Sequence, residues 1–196
     1  ASVAVDSNIT LTFNEAVRLT NDSALDNSNV DALITLKEDN SSGSDISFDA
    51  TINGGKTVIT INPSSDFSSE QVIYVAIGTS VEDAADNAIN AANVSFTAVD
   101  TSAPTMAITS STVTDGDTSD DSALSMTFTS SEATTDFVVG DITVSGGSLS
   151  SFAATSSTVY TATFTPTGNG ATTIEVTSSK FTDATGNNNT ASSQFN

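Results

Sequence analysis

Apolar positions along this chain recur with a period of two, in short runs broken by Asn, Asp, Gly, Ser and Pro. Ile9, Leu11 and Phe13 alternate with Thr10 and Thr12, the pattern of a half-buried strand. Asn14-Glu15-Ala16 ends it, and the Asp/Asn-rich residues 19–31 read as a loop. Strands follow at Ala32 to Lys37, Ile46 to Ile52, Thr57 to Ile61, Val72 to Ile77 and Val94 to Ala98. Asn53-Gly54-Gly55 joins the middle pair as a hairpin. Val81 to Ala92 reads as a loop or one helical turn. After Val99, the stretch Asp100-Thr101-Ser102-Ala103-Pro104 interrupts the alternation, and Pro104 forces an extended break. A new strand, Thr105 to Ser110, begins at once. Leu124, Met126 and Phe128 then alternate as Ile9, Leu11 and Phe13 do, and strands follow near 137–144, 150–155, 158–164, 171–177 and 191–195. By alternation Phe13, Phe48, Phe128, Phe152 and Phe164 face a core.

The two halves also repeat in letters. Leu11-Thr12-Phe13-Asn14-Glu15-Ala16 resembles Met126-Thr127-Phe128 followed by Glu132-Ala133. Ser47-Phe48-Asp49-Ala50-Thr51 resembles Ser151-Phe152-Ala153-Ala154-Thr155. Val81 to Asn87 resembles Phe181-Thr182-Asp183-Ala184-Thr185-Gly186-Asn187. A repeat of about 100 residues built from short strands predicts tandem sandwiches. The fold class is therefore all-β, with two sandwich domains end to end, 1–99 and 100–196. The strand at Thr105 to Ser110 has no counterpart in the first half, whose leading strand reads as truncated. Ala1 opens directly on a strand-like run, as in a segment cut from a longer protein.

Composition narrows the chemistry. The 196 residues include no His and no Cys, which removes the commonest general base, disulfides and thiolate metal sites. The net charge is −20, from 24 acids against Arg18, Lys37, Lys56 and Lys180. Such a surface repels nucleic acid and anionic membranes. No apolar run is long enough to span a bilayer, and no signal peptide is present. Of the acids, 18 are Asp and 6 are Glu. The Asp residues cluster with Asn and Gly in turn-like stretches, and short carboxylates in loops suit hard, oxygen-seeking cations such as calcium.

The segment Val5 to Val17 resembles the start of the bacterial Ig-like domains first described in S-layer proteins. The second half resembles another bacterial Ig-like group, found in very long surface adhesins. Its marks are Asp100-Thr101-Ser102-Ala103-Pro104-Thr105, Ser131-Glu132-Ala133, Phe137, Asp141-Ile142-Thr143-Val144, Val159 to Pro166, and Phe181 to Asn187. The first half departs at Asp86, where the pattern has Gly. The resemblance implies Ig-like sandwiches used as spacers, often stiffened by calcium, in a secreted bacterial cell-surface protein. It implies no activity. The expected partners are neighbouring Ig-like repeats of the same chain, with no nucleic acid and no membrane insertion, and the chain is expected to be a monomer.

In a sandwich of this topology, the loop after the second strand and the loop between the last two strands share one end. Glu132 and Asp136 fall in the former, Asp183 and Asn187 in the latter, and Asp100 arrives at the same end. These residues form the first candidate calcium set. By the same logic Glu15, Asp83 and Asp86 gather at the far end of the first half, and Asp6 and Asp66 at the end facing the joint. The same acids also serve simply as turn formers and caps. The acidic loop Asp115 to Asp121 fails as an EF-hand, because Asp120 stands where Gly is required and Met126 where Glu is. With 24 acids, paired carboxylates arise by chance, and no Ser lies in a nucleophile elbow, so an enzyme is not expected. The alternative to a spacer is a ligand-binding module. The Thr161, Thr163, Thr165 ladder could offer a regular binding face, but there is no Trp, and Tyr74 and Tyr160 lie inside strands. An exposed aromatic patch would favour the module; polar faces would favour the spacer.

Overall fold

In the computed structural model, which describes residues 2–196, the alternating runs form strands and two single 3-10 turns, Asp31–Leu33 and Val139–Asp141. The chain divides into two units, residues 1–100 and 101–196. The first contains β1 (Ser2–Val3), β2 (Ile9–Thr12), β3 (Arg18–Leu19), β4 (Ile34–Glu38), β5 (Phe48–Ile52), β6 (Val58–Pro63), β7 (Val72–Ile77), β8 (Val81–Glu82) and β9 (Ala92–Ala98). One sheet has the order β1-β9-β7-β4 and the other β2-β6-β5, with β3 and β8 forming a short separate ladder. Period-two burial sets the inward faces. Ile34 and Leu36 of β4 and Ile73, Val75 and Ile77 of β7 are buried in the same core as Ala50, Ile52, Ile59 and Ile61 of the facing sheet.

The second unit contains β10 (Met106–Ser110), β11 (Leu124–Ser130), β12 (Ile142–Ser145), β13 (Gly147–Ala154), β14 (Val159–Pro166) and β15 (Thr173–Val176). Its main sheet runs β10-β11-β14-β13 and packs on the pair β12-β15. Phe137 is the hub of its core, with ring centroids 5.0 Å from Tyr160, 5.2 Å from Phe181, 5.8 Å from Phe152 and 6.2 Å from Phe128. Edge-on pairs of this kind add to simple burial. Phe128 and Phe164 are fully buried, whereas Phe13, Phe48 and Phe152 are half-buried at the margins of their cores.

Several elements differ from the sequence reading. The stretch 81–92 forms no helical turn; it starts with β8, which pairs with β3, a strand where a loop was expected. The strand expected from 137 begins at Ile142, because Val139–Asp141 winds into a 3-10 turn. The strand expected at 191–195 reduces to a bridge between Ile174 and Phe195. The hairpin at Asn53-Gly54-Gly55 forms by another device. Lys56, not a glycine, takes the left-handed conformation (φ 57°), and its amide donates to the Asn53 carbonyl at 3.0 Å. The Asn53 side-chain oxygen also accepts from the amides of Thr57 and Val58, at 2.8 and 3.1 Å. Asn organises the turn and the glycines only leave room.

The units also differ at one sheet edge. β10 lies antiparallel beside β11, whereas β2, which matches β11 in letters, is itself an edge strand. β1 instead pairs in parallel with β9. This is the edge at which Thr105 to Ser110 lacks a counterpart in the first half.

Gly147 is fixed by packing. A Cβ there would lie 2.2 Å from Phe164 Cζ and 2.7 Å from the Thr165 carbonyl. Phe164 is fully buried and cannot retreat without opening the core. Gly147→Ala should destabilise the second unit by about 1–3 kcal/mol, the usual cost of overpacking. Urea unfolding followed at Tyr160 in a Tyr74→Phe background measures it; an unchanged midpoint would contradict the packing account.

Candidate metal centre

Both units carry the same tight loop near their C-terminal end, and a core residue introduces it each time. Phe181, buried against Phe137, precedes Thr182 and Asp183; buried Val81 precedes Glu82 and Asp83. In each loop an Asp closes the turn on itself. The Asp183 amide donates to the Asn187 carbonyl at 3.2 Å, and the Asp83 amide to that of Asn87 at 3.0 Å. Asp183 Oδ1 accepts from the amides of Thr185, Gly186 and Asn187 at 2.7–2.9 Å and from the Thr185 hydroxyl, and Oδ2 accepts from Asn187 Nδ2 at 2.8 Å. Asp83 Oδ1 accepts from the amides of Ala85 and Asn87 at 2.7 and 2.9 Å, and Oδ2 from Asn87 Nδ2 at 2.7 Å.

These donors stabilise the ionised form. Partial burial pushes the Asp183 carboxyl up, but the bonds from Asn187 and Thr185 outweigh it and hold the group well below the usual carboxylate range. The Asn87 side chain and amide likewise lower Asp83. The third residue along each turn is left-handed, Gly186 at φ 95° and Asp86 at φ 65°. Asp is among the few residues that tolerate this region, so the departure from Gly at position 86 keeps the backbone and adds a carboxylate.

Asp136 is a clamp. It accepts from the Thr182 amide at 3.1 Å, the Thr182 hydroxyl at 2.9 Å and the Thr134 hydroxyl at 2.7 Å. Its burial raises the carboxyl, but the Thr134 and Thr182 bonds prevail and lower it. The Phe137–Phe181 contact explains the placement, since each ring's neighbour in the chain is one partner of this clamp.

Asp100, Glu132 and Asp183 each offer a carboxylate oxygen, and the three oxygens lie within 4.8 Å of one another. Asp183 is buried and the other two are half-buried. Asp100 Oδ1 also accepts from the Ser69 hydroxyl at 2.7 Å. Lys180 is the only base in the second half, and it forms no ion pair among the described residues. Two oxygens on opposite sides of one calcium ion are about 4.8 Å apart, given calcium–oxygen distances of about 2.4 Å. The donor set is all oxygen, anionic and of the right span for a hard divalent cation. Asp136 and Asn187 adjoin the group through Thr182 and Asp183 and belong to its supporting bonds.

The first unit arranges its acids differently from the expected set. Glu15 is exposed and accepts from the Asn14 side chain at 3.5 Å, and Asp83 is turned into its own loop. Asp6 and Asp66 are exposed and join no acidic group among the described residues. Asp86 instead groups with Asp22 and Glu82, again within 4.8 Å. Asp22 and Glu82 were missed by sequence reasoning because the β3–β8 ladder was not foreseen. The signal present was Arg18 itself, one of four bases in a strongly acidic chain, directly following Val17, which is buried. Arg18 pairs with Asp22 at 2.8 Å, with Glu82 at 3.3 Å and with Asp86.

A family model described as a bacterial Ig-like domain matches residues 1–98, and a second with the same description matches residues 100–196. None of the curated proteins compared with the chain matches it.

The lowered carboxyls set an acid limit on stability. A group with a depressed folded pKa stabilises fully above its unfolded value, about 3.9 for Asp, and loses that contribution as pH falls through the folded value. In calcium-free buffer the second unit should melt at a constant temperature from pH 7 to about 5 and lower progressively below about 4. Asp183→Asn keeps one acceptor oxygen but turns an amide toward Asn187 Nδ2, leaving a donor unmatched. It should cost about 1–3 kcal/mol at pH 7 and flatten the acid limb. Near-ultraviolet circular dichroism at Tyr160, in a Tyr74→Phe background, reads both; an acid limb as steep as the parent's would exclude Asp183 as its source.

Proposed function

The chain belongs, through both of its halves, to the bacterial Ig-like domains, and from that premise we propose that it is a calcium-stiffened spacer of a long bacterial surface adhesin. It holds a more distal binding module away from the cell. The reading rests on the grouping of Asp100, Glu132 and Asp183, which each bring a carboxylate oxygen within 4.8 Å of the others. Like charges at this distance repel unless a cation sits among them. Calcium fits the all-oxygen donor set; magnesium fits less well, since it demands tighter octahedral geometry and sheds water reluctantly.

The joint gives the ion its mechanical role. The linker read from the sequence, Asp100 to Pro104, is about five residues, too short for a free coil. A short linker still permits a hinge unless something fixes it. An ion held by Asp100 together with Glu132 and Asp183 makes bending cost ion–ligand contacts. The surface agrees with a spacer over a ligand-binding module. Among the described residues the exposed large hydrophobics are Val94, Val138 and Val139, with no aromatic among them. Thr161 and Thr163 are half-buried on a central strand between β11 and β13, which weakens their case as a binding ladder. No helix is long and apolar enough to cross a membrane, and secretion to the cell surface completes the proposal.

Calcium that binds the native chain and not the unfolded one should raise stability by about 2.7 kcal/mol at a hundred times its dissociation constant. Small-angle scattering in calcium and in chelator tests the mechanical part. The maximum dimension should be sharply defined in calcium and should shorten or broaden in chelator. Asp100→Ala should show the chelator profile in both conditions with both sandwiches folded. Asp183→Ala should show it too and also destabilise the second unit, because it removes the loop's own acceptor. Identical profiles for all three proteins in both conditions would leave the acids a role in solubility alone.

A further inference from the structure

The two units set different residues against matching C-terminal loops. Their C-terminal loops superpose in bonding pattern: Asp83 and Asp183 cap themselves alike, and bridges Glu82–Ala88 and Thr182–Asn188 close both. The residue before the Asp therefore occupies the same place, Glu82 in one unit and Thr182 in the other. Across from Thr182 stands an acid, Asp136, which the Thr donates to. Across from Glu82, its register partner on β3 is Arg18. The polarity of the contact is reversed.

Around Arg18 the oxygens of Asp22, Glu82 and Asp86 lie within 4.8 Å of one another, as do those of Asp100, Glu132 and Asp183. Nη2 of the guanidinium serves Asp22 and Asp86, and Nε faces Glu82 at 3.3 Å. Nε is buried and its contact with Glu82 is an ion pair without hydrogen-bond geometry. Glu82 is 7% exposed, so it needs a positive neighbour; Asp22 and Asp86, with side chains 73% and 77% exposed, are screened by water and need one far less.

We infer that Arg18 is the built-in counter-ion of the first unit: it fills the place among Asp22, Glu82 and Asp86 that a divalent cation would take, and so makes this unit's folding independent of calcium. The guanidinium is always charged and its donors are fixed in a planar fork, so it holds three carboxylates at once without a ligand to lose. The inference stands on the first unit alone and survives if the second unit binds no calcium.

Hydrogen exchange with mass spectrometry on the whole chain reads the first unit separately, in peptides spanning β3 and β8. In the wild type their exchange should be equal in calcium and in chelator. Arg18→Ala strands Glu82 beside two other acids, so exchange should accelerate in chelator. Calcium at about ten times its dissociation constant should then slow it about tenfold. Arg18→Lys keeps a positive charge and should stay insensitive to calcium. Should Arg18→Ala not fold in chelator, Arg18→Ala with Glu82→Gln removes the buried charge; that double variant should fold and show no calcium response at β3 and β8. Two results would overturn the inference: wild-type protection at β3 and β8 that depends on calcium and is abolished by Glu82→Gln, or exchange in Arg18→Ala that calcium does not slow.

Discussion

A carboxylate that leaves water must meet hydrogen-bond donors or a positive charge, and this chain has 24 acids and four bases with which to arrange it. That shortage shapes the polar ends of both sandwiches. Each turn near the C-terminal end of a unit spends its backbone amides on one Asp, so Asp83 and Asp183 are satisfied by their own loops. The units differ in what the fold brings next to that loop. In the first unit it is Glu82, and Arg18 is there. In the second, Glu132 and Asp100 bring carboxylate oxygens within 4.8 Å of one from Asp183. The donors of the second group are all carboxylate oxygens, the ligand type that suits a hard cation.

The hydrophobic cores of the sandwiches are built from other residues. Their cores are built from the alternating Ile, Val, Leu and Phe positions, and the acid-bearing loops are anchored to those cores by single buried residues, Val17 and Val81 in one unit, Phe137 and Phe181 in the other. This gives the loops fixed positions through packing alone. A preformed site pays less ordering entropy on binding. Arg18 and Asp136 are each next in sequence to a buried core residue, Val17 and Phe137, which fixes where each side chain meets its loop.

The strands and the two-unit division were legible because period-two alternation reports directly on which residues face a buried sheet. β2, β7, β11 and β14 fall where Ile9, Val72, Leu124 and Val159 begin their runs. The repeat in letters made the matching loops visible as well. The two-residue strands β3 and β8 were not legible, since two residues cannot display a period, and Arg18-Leu19 carries no alternation at all. That one omission displaced the expected acid set of the first half. Once β3 and β8 pair, Arg18 faces Glu82 and draws Asp22 and Asp86 to itself, while Glu15, one turn earlier, stays in water. The grouping of Asp100, Glu132 and Asp183 was reachable because it follows from topology, the sharing of one end by loops of known order, and needs no side-chain detail.

The same contrast explains why the first half can tolerate Asp86 where the second half has Gly186. Position 86 demands a left-handed backbone, and the equivalent Gly186 supplies it at no steric cost. Asp supplies it at some cost, which must be offset elsewhere. Its carboxylate reaches Arg18, and that contact exists only because the first unit carries a base at position 18. Arg18 and Asp86, both without an equivalent in the second half's loop, meet in one ion pair. A guanidinium facing Glu82 alone would be underused, with its outer nitrogen in water, and an Asp at position 86 without the guanidinium would add a third negative charge to an already acidic end. Together they close the group with a cation that is part of the chain.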